Sequence, residues 1–453
     1  MRAVLRLFDT AEGRVVPLEL RDDGVVSMYV CGPTVYGPPH LGHGRFSLVF
    51  DVLRRYLEWS GLEVRYVSNI TDIDDKIIQR ANEEGRSAQE VAEQYEQVWY
   101  QAMDAIGVKR PTADPHATGY VERMVELIAE LMDRGVAYET SDGVYFDPSG
   151  VPDYGLLARQ SIDSLRVGAR VEANEEKRSP IDFALWKKAK PGEPAWPSPW
   201  GPGRPGWHTE CVVMSLDLLG EGFDLHGGGQ DLAFPHHENE RAQAVAAGRT
   251  FAHHWMHNGF VEVGGEKMSK SLGNFTNLLD LVESTDPRSY RLLVLQSHYR
   301  SPVEVNKATI DAATSALERL DAFARRTADL PPAAPDVEAL DAFRRHMDDD
   351  LDTPAAMDVL FSLVRRGNQA LDVGDVHAAA AAAAAVREIC RAVGLELHET
   401  AGEVPPEVLE LARQRDDARA RKDWASADAL RDQIQARGFV VEDTPAGTQV
   451  RPV

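Results

Sequence analysis

The amino-acid sequence predicts an α/β fold: a Rossmann-like parallel-sheet domain with an insertion, followed by a helical bundle domain and a small C-terminal α+β module. The parallel sheet is indicated by an apolar run at residues 25–31, a helical pattern at 45–60 that Gly61 ends, and a second apolar run at 64–70. These segments form one βαβ unit. No G-x-G-x-x-G follows the first strand, so a dinucleotide cofactor is not favoured.

The loop between the first strand and its helix has the composition of a phosphate-binding site. It places glycine and proline where the backbone must turn, and His40 and His43 just before the helix. The first turn of a helix presents unpaired N–H groups and the positive end of a dipole, so a polyphosphate can bind there beside the two imidazoles. The alternative is a plain strand–turn–helix with incidental histidines. This motif alone favours the alternative over a phosphate site.

The middle of the chain, residues 112–205, is predicted to interrupt the parallel sheet as an insertion. Helical periodicity dominates residues 87–134, and 138–147 is typical of a hairpin. Residues 190–205 are too rich in proline and glycine for regular structure, but their tryptophans favour burial. We therefore expect an ordered loop there.

The second half of the sheet is expected to start at Gly206, with a helix at 209–219 and a strand at 223–226. The three glycines at 227–229 follow that strand and allow a ligand to approach the backbone, because open α/β sheets bind ligands at the carboxyl ends of their strands. A flexible surface turn is the alternative for these glycines.

A further helix is expected to begin at Pro235, in the first turn, where proline is tolerated. His236 and Glu240 share one face of this helix because they are four residues apart, whereas His237 is rotated away by about 100°.

Proline-containing breaks at 330–335 and 401–407 separate two further regions from the sheet domain. Residues 337–400 are predicted to be helical. Residues 408–453 contain eight basic and eight acidic side chains, whereas the whole chain has a net charge of −23. A basic run at 418–422 and Trp424 suit contacts with phosphates and an unstacked base, and a solvated helix surface with a core tryptophan is the alternative.

The bulk composition limits the possible functions. The net charge of −23 and the isoelectric point near 5.0 argue against a protein that coats nucleic acid non-specifically, although a local basic surface can still contact phosphates. Cys31, Cys211 and Cys390 are too few for a disulfide framework and suit a reducing, cytoplasmic location. No apolar run approaches the roughly 18 residues that cross a membrane, so we expect no membrane partner.

Two motifs resemble the signatures of class I aminoacyl-tRNA synthetases. His-Leu-Gly-His at 40–43 is similar to their His-Ile-Gly-His, and Lys-Met-Ser-Lys-Ser at 267–271 matches their second signature letter for letter. Within that class, four further stretches resemble the cysteinyl-tRNA synthetase family: 29–36, 69–75, 206–211 and 226–231. The resemblance runs nearly from end to end.

The resemblance implies an enzyme that activates L-cysteine with ATP and transfers it to the terminal adenosine of tRNA(Cys). We expect the chain to be a monomer. The implied catalytic residues are His40, His43, Lys267 and Lys270. The implied site for ATP, bound with Mg²⁺, comprises His40, Gly42, His43, Gly227, Gly228, Asp231 and Lys270. The implied amino-acid pocket comprises Gly32, Thr34, Trp207, His208 and His226.

The family also implies one zinc ion per chain, with ligands that match Cys31, Cys211, His236 and Glu240. Two thiolates, an imidazole and a carboxylate are a suitable tetrahedral set, although spacing alone leaves buried structural cysteines as the favoured alternative. Cysteine and serine differ by one atom, and a soft thiolate is a much better zinc ligand than a hydroxyl. The metal is therefore expected to select cysteine.

Other functions are weighed against this one. A zinc hydrolase needs an acid or base beside its metal, for which Glu238 is a candidate, but the H-E-x-x-H spacing is absent. A related ligase of mycothiol synthesis, which joins cysteine to an amino-sugar inositol, shares the zinc set. The Pro-Thr-Val-Tyr motif at 33–36 and the long C-terminal region disfavour this ligase. The intact phosphate-site histidines and lysines disfavour a binding module without catalysis.

One departure from the family pattern is visible at Gly37, Pro38 and Pro39, where the family commonly has an acidic residue after the tyrosine. It stiffens the loop and leaves the histidines in place. The predicted domains are 1–111 and 206–262 for the two halves of the Rossmann catalytic domain, 112–205 for the connective insertion, 263–330 for the second signature and a stem-contact region, 337–400 for the helical bundle domain and 408–453 for an anticodon-binding module.

Overall fold

The structure is a computed structural model that describes residues 5–161, 176–263, 277–399, 405–437, 439–444 and 447–452. Its central element is a parallel sheet of four strands: β3 (Val25–Val30), β4 (Glu63–Val67), β9 (Leu225–Gly229) and β10 (His254–Asn258). Their order across the sheet is β10-β9-β3-β4, and every neighbouring pair is parallel. The sheet confirms the predicted α/β fold class.

The described residues form fourteen α-helices, and none of them is both long enough and apolar enough to cross a lipid bilayer. In chain order they are α1 Leu41–Trp59, α2 Asp75–Glu84, α3 Ala88–Ala105, α4 Val121–Asp133, α5 Trp207–Leu219, α6 Glu238–Ala246, α7 Leu278–Ser284, α8 Pro287–Leu295, α9 Lys307–Arg326, α10 Val337–Asp348, α11 Thr353–Asp372, α12 Val376–Val393, α13 Pro406–Ala420 and α14 Trp424–Gln435.

The remaining strands lie outside the parallel sheet. They are β1 Arg6–Asp9, β2 Arg14–Pro17, β5 Ala137–Glu139, β6 Gly143–Phe146, β7 Phe183–Lys188, β8 Gly203–Pro205, β11 Val261–Glu262, β12 Val303–Glu304, β13 Phe439–Thr444 and β14 Gly447–Pro452.

The parallel sheet is buried on both faces, as its apolar strands predict. Val26 and Met28 of β3 pack into one core with Phe50 of α1 and with residues of the C-terminal helices. Tyr29 points to the other face and joins a second core with Val212 of α5. Successive residues of one strand therefore serve the two cores that hold the helices on the sheet.

The insertion carries a separate antiparallel sheet in the order β5-β6-β7-β8. Its first two strands are the hairpin expected within 138–147. The expectation that 190–205 lacks regular structure is wrong at its end, because Gly203–Pro205 forms β8 on the edge of this sheet. Proline is tolerated at an edge, where its missing N–H leaves no gap in the ladder.

The two C-terminal regions have the predicted secondary structure. Helices α10, α11 and α12 pack together, and α13 and α14 pack against the hairpin of β13 and β14. The fold class predicted for these regions, a helical bundle and a small α+β unit, is confirmed.

Three boundaries differ from the sequence prediction. Helix α1 begins at Leu41 because the side chain of His40 caps it, so His43 lies inside the first turn and not before the helix. The glycines at 227–229 lie within β9, where they pair with neighbouring strands, and not after it. Pro235 lies in a π-helical turn, Ala233–His237, and the α-helix begins only at Glu238.

A buried ion pair joins α1 of the parallel-sheet region to α8, and its arginine also reaches the helical bundle. Arg291 of α8 lies 2.6 Å from Asp51 of α1, and their side chains are 2% and 1% exposed. Arg291 also donates to the carbonyl oxygens of Gly107 and Val393, so one guanidinium joins four segments. Burial raises the pKa of Asp51, but the charges of Arg291 and Arg55 outweigh burial and hold this pKa below its ordinary value.

We expect Asp51→Asn to lower the free energy of unfolding by about 3 to 5 kcal/mol, because it leaves a buried guanidinium without its counter-charge. Urea unfolding followed by circular dichroism measures this loss. A depressed carboxyl pKa stabilises the fold above the unfolded pKa of about 3.9 and loses its effect as pH falls through the folded pKa. The difference from the native chain should therefore be constant between about pH 5 and 8.

The matched control is Asp104→Asn, which breaks the exposed pair of Asp104 with Arg110. It should cost less than about 1 kcal/mol. Equal losses for the two variants would contradict a connecting role for the buried pair.

Candidate active site and metal centre

A cavity of about 540 Å³ opens at the carboxyl ends of β3, β9 and β10. Its size is that of a small-ligand site, and its place is where open α/β sheets bind ligands. Lys267 and Lys270 fall in 264–276, outside the described residues. Eight of the predicted site residues line the cavity: Cys31, Gly32, Thr34, His40, Gly42, His43, Trp207 and Asp231.

The four predicted metal ligands meet behind the cavity wall at Cys31. The Sγ atoms of Cys31 and Cys211 are 3.6 Å apart. Cys31 Sγ lies 3.5 Å from Glu240 Oε1, and Cys211 Sγ lies 3.6 Å from His236 Nε2. His236 Nε2 and Glu240 Oε1 are 3.1 Å apart.

The three distances that involve sulfur match a tetrahedral zinc site, and the 3.1 Å between His236 and Glu240 is slightly shorter than such a site sets. Bonds of about 2.3 Å to sulfur and about 2.0 to 2.1 Å to nitrogen and oxygen set the ligand atoms about 3.3 to 3.8 Å apart. The donor set of two thiols, an imidazole and a carboxyl group also suits zinc. The residues present therefore fit the ion that the sequence predicts.

All four ligands are buried, and burial opposes charge on each of them. It raises the pKa of the Cys31 and Cys211 thiols and of the Glu240 carboxyl group, and it lowers the pKa of the His236 imidazole. Burial therefore favours the neutral form of each group. A divalent cation reverses this preference for the thiols and the carboxyl group, because it binds their deprotonated forms.

His226 and His237 form a second possible metal set with Cys31 and Glu240. However, His226 Nε2 lies 2.7 Å from Glu240 Oε2, which is a hydrogen-bond distance and is too short for two ligands of one ion. His237 Nδ1 is bonded to His257 Nε2 at 2.8 Å. The set with both cysteines fits a metal better. His226 then lies outside the ligand set and orients the ligand Glu240 through its hydrogen bond.

Trp207, His208 and His226, which the resemblance places in the amino-acid pocket, each contact a candidate metal ligand. The ring of Trp207 stacks on His236 with centroids 3.9 Å apart. His208 Nδ1 is bonded to His236 Nδ1 at 2.8 Å, which leaves His236 Nε2 for the metal. Of these three residues, Trp207 lines the cavity, whereas His208 and His226 are not among the described residues that line it.

A hydrogen-bond chain that the sequence analysis did not identify fixes the spacing of the two cysteines. Asn69 Oδ1 accepts from the N–H of Gly32 at 2.8 Å and lies 3.7 Å from Cys211 Sγ. Asn69 Nδ2 donates to Thr71 Oγ1, which donates to Glu210 Oε2 at 2.9 Å. A Cβ on Gly32 would lie 1.6 Å from the carbonyl oxygen of Asn69, so only glycine allows this approach.

His40 and His43 cap the amino end of α1 reciprocally. His40 Nδ1 accepts from the N–H of His43 at 3.3 Å, and His43 Nδ1 accepts from the N–H of His40 at 3.2 Å. An accepting Nδ1 leaves the ring proton on Nε2. Burial lowers the pKa of His40, and burial with the nearby charges lowers that of His43 to about 3, so both rings are neutral at pH 7. Each can donate its Nε2–H to an anion at the helix terminus.

Gly227 and Gly228, predicted to contact ATP, are not among the described residues that line the cavity, whereas Gly229 is. A Cβ on Gly227 would lie 2.3 Å from the Phe50 ring, and one on Gly228 would lie 2.7 Å from the His237 ring. These two glycines allow the sheet to pack closely against α1 and the π-helical turn. The glycine-rich pattern alone does not reveal which of the three faces the ligand.

Lys76 adds a cation that the sequence analysis did not identify. It lines the cavity with Tyr36, and its Nζ lies 5.2 Å from the centroid of the Tyr36 ring. Its charge contributes to the low pKa of His43, after burial and His40. Asp74 caps α2 by accepting from the N–H of Lys76, and Asp75 pairs with a lysine of β7.

Family models match most of the chain. The model for "tRNA synthetases class I (C) catalytic domain" matches residues 17–315. The "DALR domain" matches 342–398, and the "Cysteinyl-tRNA ligase anticodon binding domain" matches 401–451.

Curated relatives resemble the chain over their whole length. The cysteine–tRNA ligase of Halorhodospira halophila is 46% identical over 459 residues, which cover 99% of each chain. That of Caldicellulosiruptor saccharolyticus is 43% identical over 466 residues, which cover 99% of this chain and 100% of the relative.

A solved structure shares the fold. Methionyl-tRNA synthetase of Mycobacterium tuberculosis in complex with methionyl-adenylate is similar with a TM-score of 0.61 and 16% identity, over 82% of this chain and 90% of that one. From the family models and the full-length relatives together, the chain belongs to the cysteine–tRNA ligase family of class I tRNA synthetases.

Proposed function

We propose that this protein is a cysteine–tRNA ligase, which activates L-cysteine with ATP and then transfers it to the 3′-terminal adenosine of tRNA(Cys). The observation that carries the proposal is that one cavity reaches both Cys31 of the candidate metal cluster and the neutral pair His40 and His43. A thiol held at the cluster and a polyphosphate held at the helix terminus bring an amino-acid carboxylate and a phosphate together. Family membership supports the same reaction.

Zinc held by Cys31, Cys211, His236 and Glu240 would supply a soft Lewis acid, which lowers the substrate thiol pKa from about 8.5 and prefers thiolate to hydroxyl. The protein's part is to hold the four ligands at their spacing and to cover them. Trp207, which stacks on His236 and faces the cavity, forms the wall beside the bound thiol. Gly32 and Thr34 lie on the same cavity, where the substrate backbone is expected.

Activation needs no covalent enzyme intermediate. The substrate carboxylate forms a bond to the α-phosphorus of ATP, and the bond from that phosphorus to pyrophosphate breaks. The enzyme accelerates this step by positioning and by stabilising charge on the phosphates. His40 and His43 donate Nε2–H to phosphate oxygens, and the family resemblance assigns the β and γ phosphates, with Mg²⁺, to Lys267 and Lys270. Asp231, exposed on the cavity, is assigned to the ribose or adenine.

The environment of Glu238 does not favour a zinc hydrolase. Its carboxylate accepts from the N–H of Leu157 at 2.7 Å, and the side chain is completely buried. A general base must lie within reach of a water molecule on the metal. The carboxylate of Glu238 is directed toward the insertion and is already hydrogen-bonded there. Among the described residues, Glu238 is therefore not placed to act as a base on water at the metal.

The C-terminal region is the proposed site of anticodon binding. Trp424 is 59% exposed, which excludes the core tryptophan that the sequence left open. Arg421 and Lys422 are exposed beside it, between α13 and α14. Such a surface suits phosphates and an unstacked base, and the amino-sugar ligase of mycothiol synthesis has no need of it. Three free cysteines suit the proposed cytoplasmic location, and we propose that the enzyme acts as a monomer.

We expect one zinc ion per chain in the purified protein. Elemental analysis should show it in the native chain, and Cys211→Ala should lose it because one thiolate of the set is gone. Cys390→Ala is the matched control, since Cys390 is buried in the helical bundle, away from the cluster, and this variant should keep its zinc. Metal-free protein that still activates cysteine and refuses serine would end the assignment.

We expect a chain that ends after residue 403 to keep cysteine-dependent pyrophosphate exchange, because the zinc ligands and both signature motifs precede residue 272. Charging of tRNA(Cys) should fall sharply through weaker tRNA binding, and charging by the full chain should weaken as salt rises. Circular dichroism checks that the shortened chain is folded. If it charges tRNA as well as the full chain, anticodon binding does not reside at 408–453.

A further inference from the structure

We infer that Glu238 is a positioning residue for the metal site: it fastens the segment between the ligands His236 and Glu240 to the insertion, so that the insertion holds these two ligands in place. The inference rests on the proposed function, in which the cluster binds zinc. It gives the insertion a part in amino-acid selection, although the insertion contributes no ligand itself.

The first observation is the environment of Glu238. The side chain is 0% exposed, and its carboxylate accepts from the N–H of Leu157 at 2.7 Å. The guanidinium of Arg241, three residues further along α6, lies 3.5 Å from the other carboxylate oxygen. A buried carboxylate is costly unless it is hydrogen-bonded, and here an amide of the insertion and a guanidinium of α6 meet that need.

The second observation is the next residue, Asn239. Its Oδ1 accepts from the hydroxyl of Tyr154 at 2.6 Å, and this contact is buried. Two consecutive side chains between the ligands therefore contact the same segment, 154–158. That segment belongs to the insertion, more than 80 residues earlier in the sequence.

The third observation is the conformation of the insertion segment. Asp153 and Arg159 have positive φ angles of 57° and 53°, so the backbone curves tightly at both ends of 154–158. Within this curved segment, the hydroxyl of Tyr154 and the N–H of Leu157 both donate to the start of α6. Asn239 and Glu238 accept these two hydrogen bonds.

The geometry of the helix explains why this contact affects the metal. His236 and Glu240 lie on one face, and Glu238, at about 100° per residue, lies on the opposite face. In the turn that precedes α6, Ala233–His237, the backbone is extended at Phe234 (φ −142°, ψ 134°), so no continuous helix holds His236 from its amino-terminal side. Trp207 and His208 contact His236 itself, and Glu238 and Asn239 hold the following residues of this segment from the side of the insertion.

The experiment measures the rate of zinc release to a chromophoric chelator from the zinc-loaded full chain. We expect Glu238→Gln and Tyr154→Phe to release zinc about tenfold faster than the native chain, since loss of an outer partner typically weakens metal binding by about 10 to 100-fold. The KM for cysteine in pyrophosphate exchange should rise by a similar factor, and the KM for ATP should not change.

Tyr138→Phe is the matched control. Its hydroxyl donates to the buried carboxylate of Asp182 at 2.5 Å, so both groups of this contact lie within the insertion. This variant should destabilise the insertion and leave zinc release at the native rate. A purely structural role for Tyr154 predicts that the two tyrosine variants behave alike.

The outcomes separate the inference from the function on which it rests. If the native chain binds zinc and activates cysteine, but Glu238→Gln and Tyr154→Phe release zinc at the native rate, the positioning role is wrong and the function stands. If Tyr138→Phe accelerates release as much as Tyr154→Phe, the positioning role is also wrong. If the native chain binds no zinc, the proposed function and this inference both fail.

Discussion

The spacing of four buried ligand atoms from three separate segments is the constraint on which the rest of the site depends. Cys31 follows β3, Cys211 lies in α5, and His236 and Glu240 flank the start of α6, so their side chains meet only when the sheet and both helices pack together. Burial favours the neutral form of each of the four groups, and a divalent cation would bind the deprotonated thiols and carboxyl group. A metal held by these atoms would join the three segments, so its binding would be coupled to the folding of this region.

The loop between β3 and α1 connects the candidate metal centre to the candidate phosphate site. Cys31 lies at its start, and His40 caps the helix at its end. The carboxyl edge of the parallel sheet thus brings a thiol site and a helix terminus to one cavity. Gly32 holds the loop close to Asn69, just after β4, because the glycine backbone approaches and hydrogen-bonds that residue. In the proposed function, selection of the amino acid and activation by ATP take place side by side because one short loop carries residues for both.

The sheet could be predicted because apolar runs are a local signal for buried strands, whereas the candidate ligand set came from the resemblance of the surrounding motifs to the family, since spacing alone favoured buried structural cysteines. The sequence pattern placed the start of α1 late because histidine is not a usual N-cap residue, so the reciprocal cap of His40 and His43 was not visible. It did not identify Asn69 or Tyr154, whose partners lie 37 and 85 residues away. No periodicity or spacing reports such contacts, because they depend on how the segments pack.

The central claim is that the substrate's sulfur binds the metal held by Cys31, Cys211, His236 and Glu240. Replacement of zinc by cobalt(II) gives a site whose thiolate-to-metal charge-transfer absorption reports the number of bound sulfurs. The account predicts that cysteine, added to the cobalt-substituted full chain without ATP, increases this absorption from two thiolates toward three, and that serine leaves it unchanged. Identical spectra with cysteine and with serine would contradict the account.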